Sequence, residues 1–213
     1  MAIYFFPNRP ILVPPDPDTP LTPKPDYING LERSGKYVAE QKWNGDNCLV
    51  YVESDGSIEF WNRHKARLKY APPPEMLFEI RQQVPKGSII NGELLYSKTK
   101  NVKNYLIVHC IMKWAGKLLT GKTWGDSRRL LEMSLSSGKH VIVSPVYKSG
   151  FWDLFQTRHG VLPDGTILTD KDSCLIEGIV LKDPSGMLQY STTGLEDVSW
   201  MLKIRHPSKK YSF

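Results

Sequence analysis

The chain has 213 residues and a formal net charge of +6, with 23% charged and 40% hydrophobic residues. At ~100–200 residues per domain this is one folded domain, and the composition excludes disorder throughout. No apolar run approaches the ~18 residues of a membrane helix, and Pro7 cuts short the apolar start, so no membrane partner and no signal peptide is expected.

Half of the sixteen prolines fall before residue 26. Proline fixes φ and removes a backbone donor, so residues 1–35 are expected to form an extended arm packed on the domain, with a recognition arm as the alternative. From Lys36 to the end (36–213) the pattern is that of a single domain. Tyr37–Gln41 alternates into Lys42. Cys48–Val52 and Ser57–Trp61 flank Asp55-Gly56, which predicts a hairpin. Proline entry at Pro72–Pro74 predicts a short helix through Arg81. Ser88–Ile90 and Leu94–Tyr96 read as strand around Asn91-Gly92-Glu93, and Tyr105–Met112 as a buried strand. Asp126 or Ser127 is the expected cap of a helix running toward Gly138. Val141–Val143 is a strand, Phe151–Arg158 a short helix, and Ile176–Leu181 and Trp200–Ile204 are the last strands. Hairpins with interspersed helices give an α+β domain of mostly antiparallel sheets rather than a doubly wound one.

The three cysteines, Cys48, Cys110 and Cys174, form neither a metal-ligand spacing nor an even disulfide set, which fits a reducing cytosol. The pI near 9.1 permits a polyanionic partner without requiring one.

Gly116-Lys117-Leu118-Leu119-Thr120-Gly121-Lys122-Thr123 matches the phosphate-cradling G-x-x-x-x-G-K-[ST] pattern letter for letter. Three features argue against that reading. The expected helix cap lies later, Val141–Val143 ends without an acidic metal ligand, and the surrounding strands read as hairpins rather than parallel βαβ units. An exposed turn is the expectation.

A different set of charged residues interrupts the apolar strands in order. It comprises Lys42-Trp43-Asn44-Gly45, Arg63 after Trp61-Asn62, Asn91-Gly92-Glu93-Leu94, Glu177-Gly178-Ile179-Val180-Leu181-Lys182 and Leu202-Lys203-Ile204-Arg205. Each alone is ordinary: a lysine ending a strand is usually a solvated guard, and a histidine such as His109 in a buried strand is usually a satisfied core residue. Trp43 and Trp61 read as cleft-wall or core aromatics. Lys203 and Arg205 share one strand face by period-2 geometry.

Taken together and in order, these motifs resemble those of the covalent nucleotidyltransferases: ATP-dependent DNA ligases, RNA ligases and mRNA capping enzymes. The resemblance covers nearly all of the chain after the proline arm. It implies a ligase-type adenylation domain with a ligand cleft between sheets. It implies that Lys42 is the nucleophile that takes AMP from ATP, passes it to a 5′-phosphate end and leaves a 3′-OH to seal the strand. Glu177 would hold Mg²⁺ (or Mn²⁺), and Glu93 the ribose or the metal. Gln41, Asn47, Arg63, Lys182, Lys203 and Arg205 would contact the nucleotide or strand-end phosphates. His109 aligns with the aromatic that stacks on the base. The implied partner is nicked or broken nucleic acid, bound by a monomer in the cytoplasm, with compactness suggesting a phage or viral origin.

The departures are specific. Asn44 replaces the usual Asp, and Arg205 replaces the second lysine of L-K-x-K. Asn47 resembles nick-sealing RNA ligases and tilts the expectation toward RNA. Glu40, two before the lysine, and Trp200 to Lys203 look more like DNA ligases, so a minimal DNA ligase stays open, as do a GTP-dependent capping enzyme and a non-catalytic nucleotide-binding relative. Only eight residues follow Arg205, so the expectation is an adenylation domain with no oligonucleotide-binding domain after it.

Overall fold

The alternating segments become strands of two sheets whose inner faces meet across a cleft. The computed structural model describes residues 3–13 and 23–206. In chain order the elements begin with strand β1 (Asn8–Leu12), helix α1 (Pro25–Arg33), and strands β2 (Val38–Trp43), β3 (Asp46–Val52) and β4 (Ile58–Asn62). Helix α2 (Pro74–Gln83), strands β5 (Ser88–Leu95), β6 (Tyr105–Trp114) and β7 (Lys117–Leu118), and helix α3 (Trp124–Ser134) follow. The remainder is strand β8 (Val141–Val143), helix α4 (Phe151–Gln156), and strands β9 (Gly160–Val161), β10 (Ile167–Leu168), β11 (Ile176–Lys182) and β12 (Glu196–Arg205).

The larger sheet has the order β4-β3-β5-β6-β7, with β8 added on β6, the four-stranded sheet has the order β1-β12-β11-β2, and β9 and β10 pair as a separate two-stranded sheet. Pairings are antiparallel except β1 with β12 and β6 with β8. The architecture is α+β, as expected.

Each of the two facing sheets uses one face for helices and leaves the other to the cleft. Ile28 of α1 and Phe151, Leu154 and Phe155 of α4 pack on Ala39, Ile179, Leu181 and Ile204 of the four-stranded sheet. Met76 and Ile80 of α2 and Leu131 of α3 pack on Cys48, Val50, Ile90, Leu94 and Val108 of the larger sheet. Period-2 alternation therefore turns residues 178, 180 and 182 of β11, and 203 and 205 of β12, away from the helices.

Two local expectations are corrected. Helix α3 is capped by Thr123, not by Asp126 or Ser127: Thr123 and Asp126 form a reciprocal capping box, and the helix ends at Ser134 rather than near Gly138. A T-x-x-D capping box satisfies two orphan donors at once, which outweighs a single later cap. Ser127 is instead buried inside the helix, where its hydroxyl bonds both backbone groups of Ile111. Second, β6, α3 and β8 do make one parallel βαβ unit.

The N-terminal segment is extended only in part. Residues 8–12 form an edge strand, where Pro10 leaves no ladder donor missing, but Pro25 opens helix α1 at a position where proline's fixed φ suits a helix start. Pro14, Pro15, Pro17 and Pro20, and the chain after His206, lie outside the described residues.

Candidate active site

The four-stranded sheet presents a row of charges. Lys42 pairs with Gly178 and Gly178 with Arg205, while Glu40 pairs with Val180 and Val180 with Lys203, so Glu40, Lys42, Lys203 and Arg205 share the cleft face.

Glu177 would point the other way in a regular strand. A bulge between Ile176 and Gly178 places two β11 residues against one of β2 and brings Glu177 onto the same face as Lys42. Gly178 makes the bulge: its φ of 140° favours glycine, and an added Cβ would collide with the Ile204 carbonyl oxygen and lie 3.0 Å from Arg205 Cα. The Lys42 ammonium donates to Glu177 Oε2, and an Arg205 guanidinium nitrogen lies 3.3 Å from the same oxygen. Burial raises the Glu177 pKa, but Lys42, Arg205 and Lys98 outweigh it and hold the carboxyl below its ordinary value. Burial, then the neighbouring Arg205, lowers the Lys203 pKa.

The larger sheet supplies the opposite wall. Asn47 pairs with Glu93 across β3 and β5, and Asn91 shares their face by alternation. Glu93 Oε1 accepts from the Gly45 backbone N–H at 3.2 Å, fixing the loop after the lysine. That loop needs glycine, because a Cβ on Gly45 would sit 2.6 Å from the Leu94 carbonyl oxygen and 2.8 Å from Glu93 Cγ. Asn47 Nδ2 donates to Asn91 Oδ1 at 3.0 Å, leaving Asn47 Oδ1 a buried acceptor with no hydrogen-bond partner in the protein. His109 is the extra residue of a second bulge, on β6, and lines the cleft. Burial and the cations Lys182, Arg128 and Lys42 push its pKa well down, so the ring is neutral at physiological pH. Burial raises the Glu93 pKa, with Lys42 and Lys98 opposing.

The cleft between these walls encloses about 320 Å³ and is lined by every residue named from the motifs: Lys42, Gln41, Asn47, Arg63, Glu93, His109, Glu177, Lys182, Lys203 and Arg205. They do not all offer free side chains. The Gln41 carboxamide is committed to Thr157 Oγ1 (3.1 Å), the His159 carbonyl (2.9 Å) and the Val161 N–H (2.9 Å), so it anchors the segment after α4. Lys182 is buried against Glu40 at 3.0 Å and lies 5.0 Å from the Trp124 ring centroid. Arg63 is exposed at the mouth, its Nε donating to His64 Nε2 at 3.2 Å.

Asn44 has a local reason. Its Nδ2 donates to the Cys174 carbonyl at 2.8 Å, which an aspartate there could not do. Glu40 and Arg9 are among the polar cleft residues that the sequence did not mark as site residues. Glu40 was legible as a charge inside an apolar strand, while Arg9, which also lines the cleft, carried no signal.

The Gly116–Thr123 string holds no phosphate cradle. The N–H groups of Gly116, Leu119, Gly121, Lys122, Trp124 and Gly125 all donate to carbonyls of this chain, and those of Thr123 and Asp126 close the capping box. The letters match, but the donors that would grip phosphate are already used.

No group of three or more His, Cys, Asp or Glu side chains able to hold a metal occurs among the described residues. Glu93 and Glu177, which feel each other's charge across the cleft, offer two carboxylates.

No protein-family model matches this sequence, and no curated protein aligns with it. Solved structures do share its fold. The ligase domain of LigD from M. tuberculosis superposes with a TM-score of 0.56 at 14% identity, covering 94% of this chain and 59% of that one. A mycobacterial DNA ligase D complexed with ATP and MES gives 0.51 at 16% identity, covering 80% and 54%. A Lig E DNA ligase, described as binding DNA with a minimal scaffold, gives 0.50 at 12% identity, covering 81% and 62%. The chain thus spans little more than half the length of these proteins.

Proposed function

With the fold of a ligase nucleotidyltransferase (adenylation) domain as premise, we propose that this chain is an ATP-dependent polynucleotide ligase that carries AMP on Lys42. The observation that supports this most is the bulge-built pair of Lys42 with Glu177, inside a cleft flanked by Lys203 and Arg205. An ordinary lysine, with pKa ~10.4, is protonated at neutral pH and must lose a proton to attack. Glu177, which the Lys42 side chain already contacts, holds it in place and is the acceptor at hand for that proton, with Lys203 and Arg205 on the same cleft face. Lys42 Nζ then forms a bond to the α-phosphorus of ATP. The bridging P–O bond breaks, and its electron pair leaves with pyrophosphate. The same cations offset charge gathering on the phosphate oxygens.

In the second step a 5′-phosphate oxygen of a strand end attacks the adenylyl phosphorus and releases Lys42. In the third, a 3′-OH attacks that 5′-phosphate and expels AMP. Asn47 Oδ1, buried and unpaired, fits a ligand donor such as a nucleoside hydroxyl. His109, a neutral ring in the cleft, fits a face for the base.

A magnesium ion takes one or two carboxylates and completes its shell with water and phosphate oxygens, so Glu93 and Glu177 fit it. When bound, it neutralises phosphate charge.

The net charge of +6 suits a phosphate backbone, whose binding falls steeply with salt. Asn47 inclines the reading to RNA ends.

The test is incubation with α-labelled ATP or GTP followed by denaturing electrophoresis, then sealing of nicked duplexes carrying DNA or RNA on each side. The proposal expects label retained with ATP only and a sealed product, with the preferred sugar read from the faster nick. Absence of label with ATP overturns it.

A further inference from the structure

Residues 4–12 do not merely lie on the domain; they bridge its two sheets. On the larger sheet, Tyr4 OH donates to the Asn62 carbonyl at 2.6 Å and the Phe5 N–H donates to Tyr51 OH at 2.9 Å. The Tyr4 ring stacks on Tyr51 at a centroid distance of 6.0 Å. On the other sheet, β1 pairs in parallel with β12, the strand that carries Lys203 and Arg205. Pro7 and the start of β1, through Pro10, line the cleft shared with Lys42.

One cation stands on that crossing. Arg9 makes a two-pronged ion pair with Asp197, Nε to Oδ1 at 2.6 Å and a terminal nitrogen to Oδ2 at 2.8 Å, with both side chains more than two-fifths exposed. Its charge reaches the cleft interior, since it contributes to lowering the Lys203 pKa. An exposed pair of this kind holds itself together weakly, by ~0–1 kcal/mol, and a guanidinium fork fits phosphate oxygens as well as it fits a carboxylate. A dianionic phosphate entering the cleft therefore competes with Asp197 for Arg9.

We propose that the N-terminal strand is a working wall of this cleft and that Arg9 is a phosphate-contact residue held on Asp197 until the phosphate arrives. This rests on the nucleotide reading above. The phosphate has two sources: the outer phosphates of the nucleoside triphosphate, or the terminal phosphate of the nucleic-acid strand.

The test compares Arg9→Ala with Asp197→Asn. Both variants remove the same ion pair, so a purely structural role moves them in the same direction. A phosphate contact moves them oppositely, because Asp197→Asn frees the arginine. Rates of Lys42 labelling are measured against ATP concentration, and sealing of a nicked duplex is measured in single turnover with pre-labelled enzyme. Thermal midpoints of both variants are recorded alongside.

If the triphosphate is the source, Arg9→Ala raises KM for ATP about tenfold, the worth of one charge-assisted hydrogen bond, and Asp197→Asn lowers it. If the strand end is the source, the same opposed changes appear in the sealing step while labelling stays as in the wild type. Opposed changes in either arm support the proposal. Parallel losses in both variants, tracking their thermal midpoints, overturn it, as does no change in either arm. If the wild type takes no label, the ligase reading has failed, and Arg9 is then tested by equilibrium binding of ATP to the two variants, with the same opposed signs required.

Discussion

Gly178→Ala perturbs the single residue on which the placement of Glu177 depends. The backbone there has φ +140°, and the new methyl would collide with the Ile204 carbonyl oxygen, 3.0 Å from Arg205 Cα. Strain at such a φ costs ~1–3 kcal/mol, and forcing a methyl into packed backbone another ~1–3 kcal/mol. A loss of about 2–6 kcal/mol is therefore expected, against a total stability of about 5–15 kcal/mol for a domain. The obstructing atoms belong to β12, which is held in its ladder by β11 on one side and β1 on the other, so relief requires β11 and β12 to part. That motion separates Glu177 from Arg205 and both from Lys42, and a misplacement of ~1 Å costs about a hundredfold in rate. Urea unfolding gives the first quantity and transfer of α-labelled AMP to the protein, per folded molecule, gives the second. Gly194→Ala is the control, because nothing lies within 4 Å of a Cβ there. It should stay within about 0.5 kcal/mol of wild type. Wild-type stability and labelling in Gly178→Ala would refute the bulge as the device that assembles the site.

Other outcomes follow from the same geometry. Lys122→Ala should leave labelling unchanged, and Thr123→Ala should cost about 1 kcal/mol in urea as a lost helix cap without affecting labelling. Loss of labelling in Lys122→Ala would restore the phosphate-loop reading. Lys182→Met should cost about 3–5 kcal/mol by stranding buried Glu40, and adding Glu40→Gln should recover most of it; equal losses in single and double variants would contradict the buried pair. Glu93 and Glu177 should give opposite pH dependences of stability. Glu177 titrates below the ordinary 4.5 when folded, so its contribution is present above 4.5 and lost as pH falls through the lowered value; Glu177→Gln should remove that acid loss. Glu93 titrates above 4.5, so its contribution is full below 4.5 and lost as pH rises through the raised value. Glu93→Gln should therefore have a higher thermal midpoint than wild type at neutral pH while losing labelling, and a lower midpoint there would refute the burial argument.

The strands that carry the motifs were legible because alternation is a local property: the hairpin at Asp55-Gly56, the strand through Asn91-Gly92-Glu93 and the closing strand lie where the pattern puts them. The facing of Glu177 was not legible. Alternation alone sends it to the helix side, and only the pairing of β11 with β2 reveals the bulge; the Glu-Gly pair was its one local trace. His109 reads as a core histidine from its apolar neighbours, yet it lines the cleft beside the bulge on β6. Gln41 stands beside the lysine in sequence, yet its partners lie more than a hundred residues away, beyond any local signal. Proline density concealed both β1 and α1, because it predicts extension without saying which sheet edge or helix start would accept it. The capping box at Thr123 was present in the letters, but Asp126 read as the cap itself rather than as its partner.

The central claim is that Lys42 takes up AMP. Its most direct test is intact-protein mass measurement after incubation with ATP and magnesium, followed by peptide mapping of the adduct. The account predicts one adenylyl group per chain, on Lys42, absent from Lys42→Ala and removed by added pyrophosphate. An unmodified protein, or an adduct on another residue that persists in Lys42→Ala, would contradict it.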